Sequence, residues 1–133
     1  MSKANDIMRA AEAALIASGV AGDRVTRSLE KGYSYDDFPA ILLHQVGDVP
    51  AGTPAPVGYE YRQLTVELEI RAEGDVPHDA CDAAHGPANA VMFTLGVGVA
   101  SGSVQWTYDE ENPALGVCLA QYIIPYRRRE GEL

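Results

Sequence analysis

The widest chemical range in this 133-residue chain belongs to its three histidines and two cysteines. His78, Asp82 and His85 stand at i, i+4 and i+7, with Cys81 beside them. On a straight helix that spacing stacks the three side chains on one face. Imidazole and carboxylate donors so arranged can hold zinc, and they would serve a small metal-dependent enzyme or binding domain. Two features weigh against it. Pro87 disturbs the same helix, and His85 also falls on its apolar stripe. Asp79 as a helix cap and solvated first-turn acids account for the remaining charges. The balance of these signals assigns no metal ligand.

Other chemistry has less support. Gly96-Val97-Gly98-Val99-Ala100-Ser101-Gly102 nearly matches a dinucleotide loop. It follows a helix and precedes a strand, the reverse of what that site needs. There is no Gly-Lys-Ser or Gly-Lys-Thr for a phosphate loop, and no Gly-x-Ser-x-Gly elbow. His44 lies in an apolar strand and reads as a satisfied core histidine. Cys81 and Cys118 have apolar neighbours, as inert buried thiols do. Asp36-Asp37 and Glu110-Glu111 fall in turns, where carboxylates are solvated. The expectation is a protein that is not an enzyme, with no catalytic residue and no cofactor.

The elements that must position these residues follow from periodicity. Residues 4–18 read as an alanine-rich helix, capped by Ser2 or Asn5 and ended by Gly19. Residues 24–29 are a short possible strand, followed by a polar, aromatic loop over 30–37. Residues 38–46 form a strand apolar on both faces, with Pro39 at its start. Residues 47–58 carry three prolines and three glycines, so they read as a loop of about a dozen residues, a length that is often functional.

Residues 61–73 alternate strictly. Leu64, Val66, Leu68, Ile70 and Ala72 point one way, and Thr65, Glu67, Glu69 and Arg71 the other. One face is therefore buried, and the other is wet or covered by a partner. A second helix opens at Asp75 or Asp79 and runs to about Leu95, kinked or split at Pro87. Residues 103–109 alternate again, residues 115–126 read as a central strand, and 127–133 as a frayed charged tail. This order predicts one α+β domain over 1–133. It has two layers: a mostly antiparallel sheet of about five strands, with two helices packed on one face.

Composition narrows the partners. The net charge of −9 disfavours nucleic acid and anionic lipid, which need clustered Lys and Arg. No apolar run approaches the ~20 residues of a membrane span, and the polar start does not read as a signal peptide. The remaining candidates are surface features: Tyr33 and Tyr35 in the aromatic loop, Tyr59 and Tyr61 after the proline-rich loop, and the basic run Arg127-Arg128-Arg129. Exposed tyrosine and arginine are common interface anchors.

Several stretches together resemble the tail-terminator family of long-tailed phages, the minor tail protein U type, with its related tail-completion proteins. They are the opening helix Ile7 to Leu15, Arg24-Val25-Thr26-Arg27-Ser28 before an acidic loop, and Phe38-Pro39-Ala40-Ile41-Leu42-Leu43. The long strand from Arg62 to Ile70, an alanine-rich second helix and a closing strand ending Ile124-Pro125-Tyr126-Arg127 complete the set. The likeness covers nearly the whole chain; His85-Gly86-Pro87 departs from the smooth second helix expected. It implies a structural virion protein, made in the bacterial host cytoplasm. Such a protein forms a ring, usually hexameric, that caps the finished tail tube, ends its polymerisation and offers the head-attachment surface. The partners implied are further copies of itself, the tail-tube protein and the head-tail connector. A head-tail joining (neck) protein of similar fold is the alternative within the class.

Overall fold

The computed structural model describes residues 2–133. Its elements, in chain order, are α1 (Lys3–Ser18), β1 (Val25–Thr26), α2 (Leu29–Tyr33), β2 (Ala40–Pro50), β3 (Tyr59–Glu73), α3 (Pro77–Met92), β4 (Ala100–Tyr108) and β5 (Leu115–Arg129). They form the expected α+β fold. The single sheet has the order β1-β2-β3-β5-β4 and is antiparallel throughout except where β1 runs parallel to β2.

The period-two pattern of β3 sets the layers. Leu64, Val66, Leu68 and Ile70 are fully buried, and Ala72 nearly so. Their cross-strand partners Leu43, Ile41, Cys118, Ala120 and Ile124 lie on the same face. Both long helices cover that face. Helix α1 contributes Ala4, Met8, Ala11 and Leu15, and α3 contributes Cys81, Ala84, Ala88 and Met92. Each set recurs at helical spacing. Ser2 Oγ accepts from the Asn5 N–H at 3.0 Å to start α1, and Gly19 ends it in the left-handed conformation at φ 76°.

Several boundaries differ from the sequence expectation. The 30–37 loop contains a helical turn, α2, because Ser28 caps it by accepting from the Lys31 N–H at 3.3 Å. Helix α2 rests on the opposite sheet face, above Leu42: a Cβ on Gly32 would fall 2.5 Å from that side chain. Strand β2 continues to Pro50, so the irregular loop shrinks to 51–58. Helix α3 starts with Pro77 in its first turn rather than from an aspartate cap; Val76 holds the cap position without a side-chain bond. It then runs through Pro87 as one helix. The carbonyl that Pro87 cannot satisfy is that of Ala83, and both residues are exposed, so water can take the missing bond. The basic run is no frayed tail: Arg127, Arg128 and Arg129 pair with Tyr61, Glu60 and Tyr59 across the β3–β5 ladder.

Gly116 marks the tightest joint between layers. A Cβ there would lie 2.8 Å from the Pro77 carbonyl oxygen, so the start of α3 sits directly on β5. Overpacking of this kind costs roughly 1–3 kcal/mol. Gly116→Ala should lower unfolding free energy by about that amount in urea titrations. Gly47→Ala, with nothing within 4 Å of its added methyl, should change it by less than about 0.5 kcal/mol.

Candidate functional site

The helical triad disperses. His78 stacks on Tyr108 with ring centroids 4.5 Å apart. Asp82 accepts from the Trp106 indole N–H at 3.3 Å. His85 Nε2 lies 3.2 Å from the Tyr122 hydroxyl, whose own proton goes to Asn89 Oδ1 at 2.7 Å. The i, i+4, i+7 spacing thus reads as a seam. His78, Asp82 and His85 each meet a different aromatic of β4 or β5. Among the described residues no three His, Cys, Asp or Glu side chains converge to hold a metal ion. The sheet beneath gives Asp82 and His85 hydrogen-bonding partners of their own, while His78 stacks on Tyr108 with its Nε2 buried and unpartnered.

The remaining chemical candidates are also engaged. His44 is half-buried on the sheet face opposite the long helices, where its Nε2 meets Glu69 at 3.1 Å. It is not the core histidine its apolar neighbours indicate, because alternation along β2 turns it away from Leu43. Cys81 and Cys118 are fully buried free thiols. Burial raises both, Cys118 to about 11, with the neighbouring Cys81 and Asp82 adding to the rise. A cavity of about 450 Å³ between α3 and the chain before β2 contains one ionisable side chain, Glu73, among Val20, Phe38, Pro39 and alanines. No helix among the described residues is long and apolar enough to cross a membrane.

The surface candidates fall into two places. Tyr33 lies exposed on α2, with the Arg71 guanidinium 5.3 Å from its ring centroid. Tyr35 is half-buried just beyond, its hydroxyl without a partner. Tyr59, Tyr61, Arg127 and Arg129 gather at the other end of the sheet. Register puts them on one face of the β3–β5 ribbon, as the pairs Tyr59–Arg129 and Tyr61–Arg127. Arg71 and Tyr61 are ten residues apart along β3, roughly 33 Å at ~3.3 Å per residue, so the two tyrosine groups are not one patch.

Arg128 faces the opposite side of the ribbon and belongs to an internal network. It pairs with Glu60, which also meets Arg62 at 3.5 Å. Arg62 holds Asp48 at 2.6 Å, and Asp48 accepts from the Tyr126 hydroxyl. The hydrogen bond from Arg128 holds the Glu60 carboxyl below its ordinary range. The hydrogen bond that Arg62 donates to Asp48 raises the guanidinium. These bonds brace the end of the ribbon and consume the charge of Arg62 and Arg128.

Arg127 and Arg129 have no such compensation. Arg127 stacks on Tyr59 at 4.5 Å. With Lys3, Arg128, Tyr59 and Glu132, they line a cavity of about 350 Å³. Among the described residues, the side chains of Lys3, Arg127 and Arg129 have no carboxylate partner. Sequence inspection points to the arginines but not to Lys3, which the start of α1 brings in from more than a hundred residues away.

The far end of the sheet is acidic. Glu73 closes β3, Asp79 and Asp82 lie on the first turns of α3, and Asp109, Glu110 and Glu111 form the turn before β5. The backbone N–H of Glu111 holds the Asp109 carboxyl below its ordinary range, helped by the Asn112 N–H and by the Arg71 guanidinium at 2.6 Å. The strands therefore run between two unlike poles: a cationic cluster of Lys3, Arg127 and Arg129, with Glu132 beside it, and an acidic one. No protein-family model matches the sequence, and no curated protein is significantly similar to it.

Burial makes the thiols and the Tyr122 hydroxyl alkaline-sensitive stabilisers. Cys118 sits at about 11 against an ordinary 9, and Tyr122 at about 12 against 10. The unfolded chain therefore loses these protons first. Stability should be complete below pH 9 and fall progressively between pH 9 and 12, read as the urea midpoint against pH. Neither cysteine should react with a thiol reagent at pH 8 within minutes in the native state, and both should react in denaturant.

Proposed function

We propose that this chain is a structural phage tail protein of the tail-terminator kind. It forms a homo-oligomeric ring on the finished tail tube, ends polymerisation and presents the surface for head attachment. It acts in the virion, after assembly in the host cytoplasm. Its mode of action is surface contact, with no catalytic centre and no cofactor.

The observation that carries this reading is the pair of unlike poles. Lys3, Arg127 and Arg129 stand without acid partners at one end of a chain whose net charge is −9. The three are held together by a braced ribbon, with Glu132 sharing their cavity, while a separate group of acids gathers at the opposite end. Charged groups left uncompensated in this way are suited to a complementary partner surface, where they steer approach and fix orientation. A component placed between a tube and a head needs two chemically different ends. The rigidity of the site fits that role, because Glu60, Arg62, Asp48 and Tyr126 fix the backbone from which Arg127 and Arg129 project.

The acidic character of the rest of the surface is consistent with a channel component. A ring with carboxylates towards its lumen repels phosphates, so DNA passes without binding. The family resemblance of the opening helix, the long alternating strand and the closing strand points the same way.

The test is capping. Purified protein is added to polymerising tail-tube protein of the same phage, and tube length is measured by electron microscopy. The wild type should give tubes that stop growing, with a ring at one end. Arg127→Glu combined with Arg129→Glu should abolish capping, at least tenfold in the protein needed, while the thermal melting curve stays within a few degrees of wild type. Capping that survives this charge reversal overturns the role of the cationic pole. Failure of the wild type to bind tubes at any concentration overturns the terminator reading itself.

A further inference from the structure

Among the described residues, no strand pairs with the outer side of β4 or with most of the outer side of β2. On one side, β4 pairs only with β5. On the other, β1 pairs with β2 at Ile41 and Leu42 alone, so Leu43 to Pro50 has a free outer side. Monomeric proteins guard such edges with charge, proline or very short strands, because unpaired N–H and C=O groups recruit other strands. Strand β4 is nine residues long and contains no charged residue and no proline. The free part of β2 ends in Pro50 and holds one carboxylate, Asp48, already neutralised by Arg62. Each edge carries one register irregularity, at 45–47 in β2 and 101–104 in β4. Each also exposes apolar side chains: Val46 is 52% and Val49 53% exposed, and Trp106 is 47% and Tyr108 51% exposed.

We infer that β4 of one copy pairs with the free stretch of β2 of the next, so that the sheet continues from subunit to subunit. This rests on the ring reading above and specifies the contact that closes the ring. Three physical points select a second copy and this pair of edges. First, direction: β2, β3, β5 and β4 reverse at each step, so β4 runs antiparallel to β2. Rotating a copy about an axis along the strands brings its β4 beside the next β2 in antiparallel register, the stronger pairing mode. Second, charge: with a net charge of −9, copies repel across most of their surfaces. These edges are the stretches with the least net charge. Third, the alternatives are worse. Pairing β4 with β4 about a twofold axis would place both α3 flanks, with Asp79 and Asp82, over one seam. A heterologous β4–β2 contact uses two different patches, as a ring requires, and leaves the cationic and acidic poles facing its two ends.

The experiment uses two full-length variants, one blocked at each edge. Gln105→Lys with Thr107→Lys charges β4 at exposed positions, and Val46→Lys charges β2. Circular dichroism and melting temperature check that each remains folded. Mass is followed by light scattering across a wide concentration range, with and without tail-tube protein. Each variant alone should lose the ring and remain monomeric. An equimolar mixture should give a species of twice the chain mass, because one variant keeps a free β2 edge and the other a free β4 edge. If either folded variant forms rings like the wild type, the edge contact is wrong while the ring survives. If Val46→Lys still dimerises alone, pairing is β4 to β4 and the inference falls. If the wild type associates through these edges but never caps a tube, the terminator reading fails and the contact stands. If the wild type remains monomeric in every condition, both are overturned.

Discussion

The rest of the molecule depends on the β3–β5 ladder. Fifteen residues of one strand pair in unbroken register with fifteen of the other, from Tyr59–Arg129 to Glu73–Leu115. Along the shared length, alternation decides the destiny of each side chain. Leu64, Val66, Leu68 and Ile70 meet Ile124, Tyr122, Ala120 and Cys118 on the helix side. Glu67 meets Gln121 on the other side, with a hydrogen bond at 3.2 Å. A slip of one residue would exchange these faces and place Glu67 and Glu69 in the core, so register is fixed by the cost of burying charge.

That ladder is longer than the helical layer is wide. Over its middle the apolar face is sealed by α1 and α3. At its Tyr59–Arg129 end the same face carries Glu60, Arg62, Tyr126 and Arg128 instead of aliphatic side chains. The ion-pair network there substitutes for hydrophobic burial and keeps the ribbon stiff. Its individual pairs are partly exposed, and isolated surface pairs contribute little to stability. Their role is geometric: they orient the opposite face, where Tyr59, Tyr61, Arg127 and Arg129 gather.

The polar side of α3 illustrates how a sheet can absorb a motif. His78, Asp82, His85 and Asn89 each find a partner on β4 or β5, and Tyr122 buries its ring while its hydroxyl joins two of them. A buried tyrosine needs such a partner. The helix stripe therefore works as the polar half of a helix–sheet contact, and the apolar half is Cys81, Ala84, Ala88 and Met92.

Local chemistry determined most of the fold. The Ser2 and Gly19 caps bounded α1. The alternation of 64–72 gave β3 its two faces, and the unbroken apolar run of 115–126 placed β5 inside the sheet. These signals are carried by residues that decide their own conformation or burial. What the sequence misassigned depended on partners distant in the chain. Arg127 to Arg129 read as a frayed tail because their strand exists only by pairing with 59–61. Residues 47–50 read as loop because their hydrogen bonds lie across β3. His78, Asp82 and His85 read as possible ligands because spacing along a helix cannot show what lies opposite each side chain. Lys3 joined the cationic pole only when the start of α1 was packed beside the end of β5. Composition announced an acidic protein, but the separation of charge into poles, and the two unpaired edges between them, belong to the tertiary structure. Both arise from which strands pair, and pairing is a property of the whole chain.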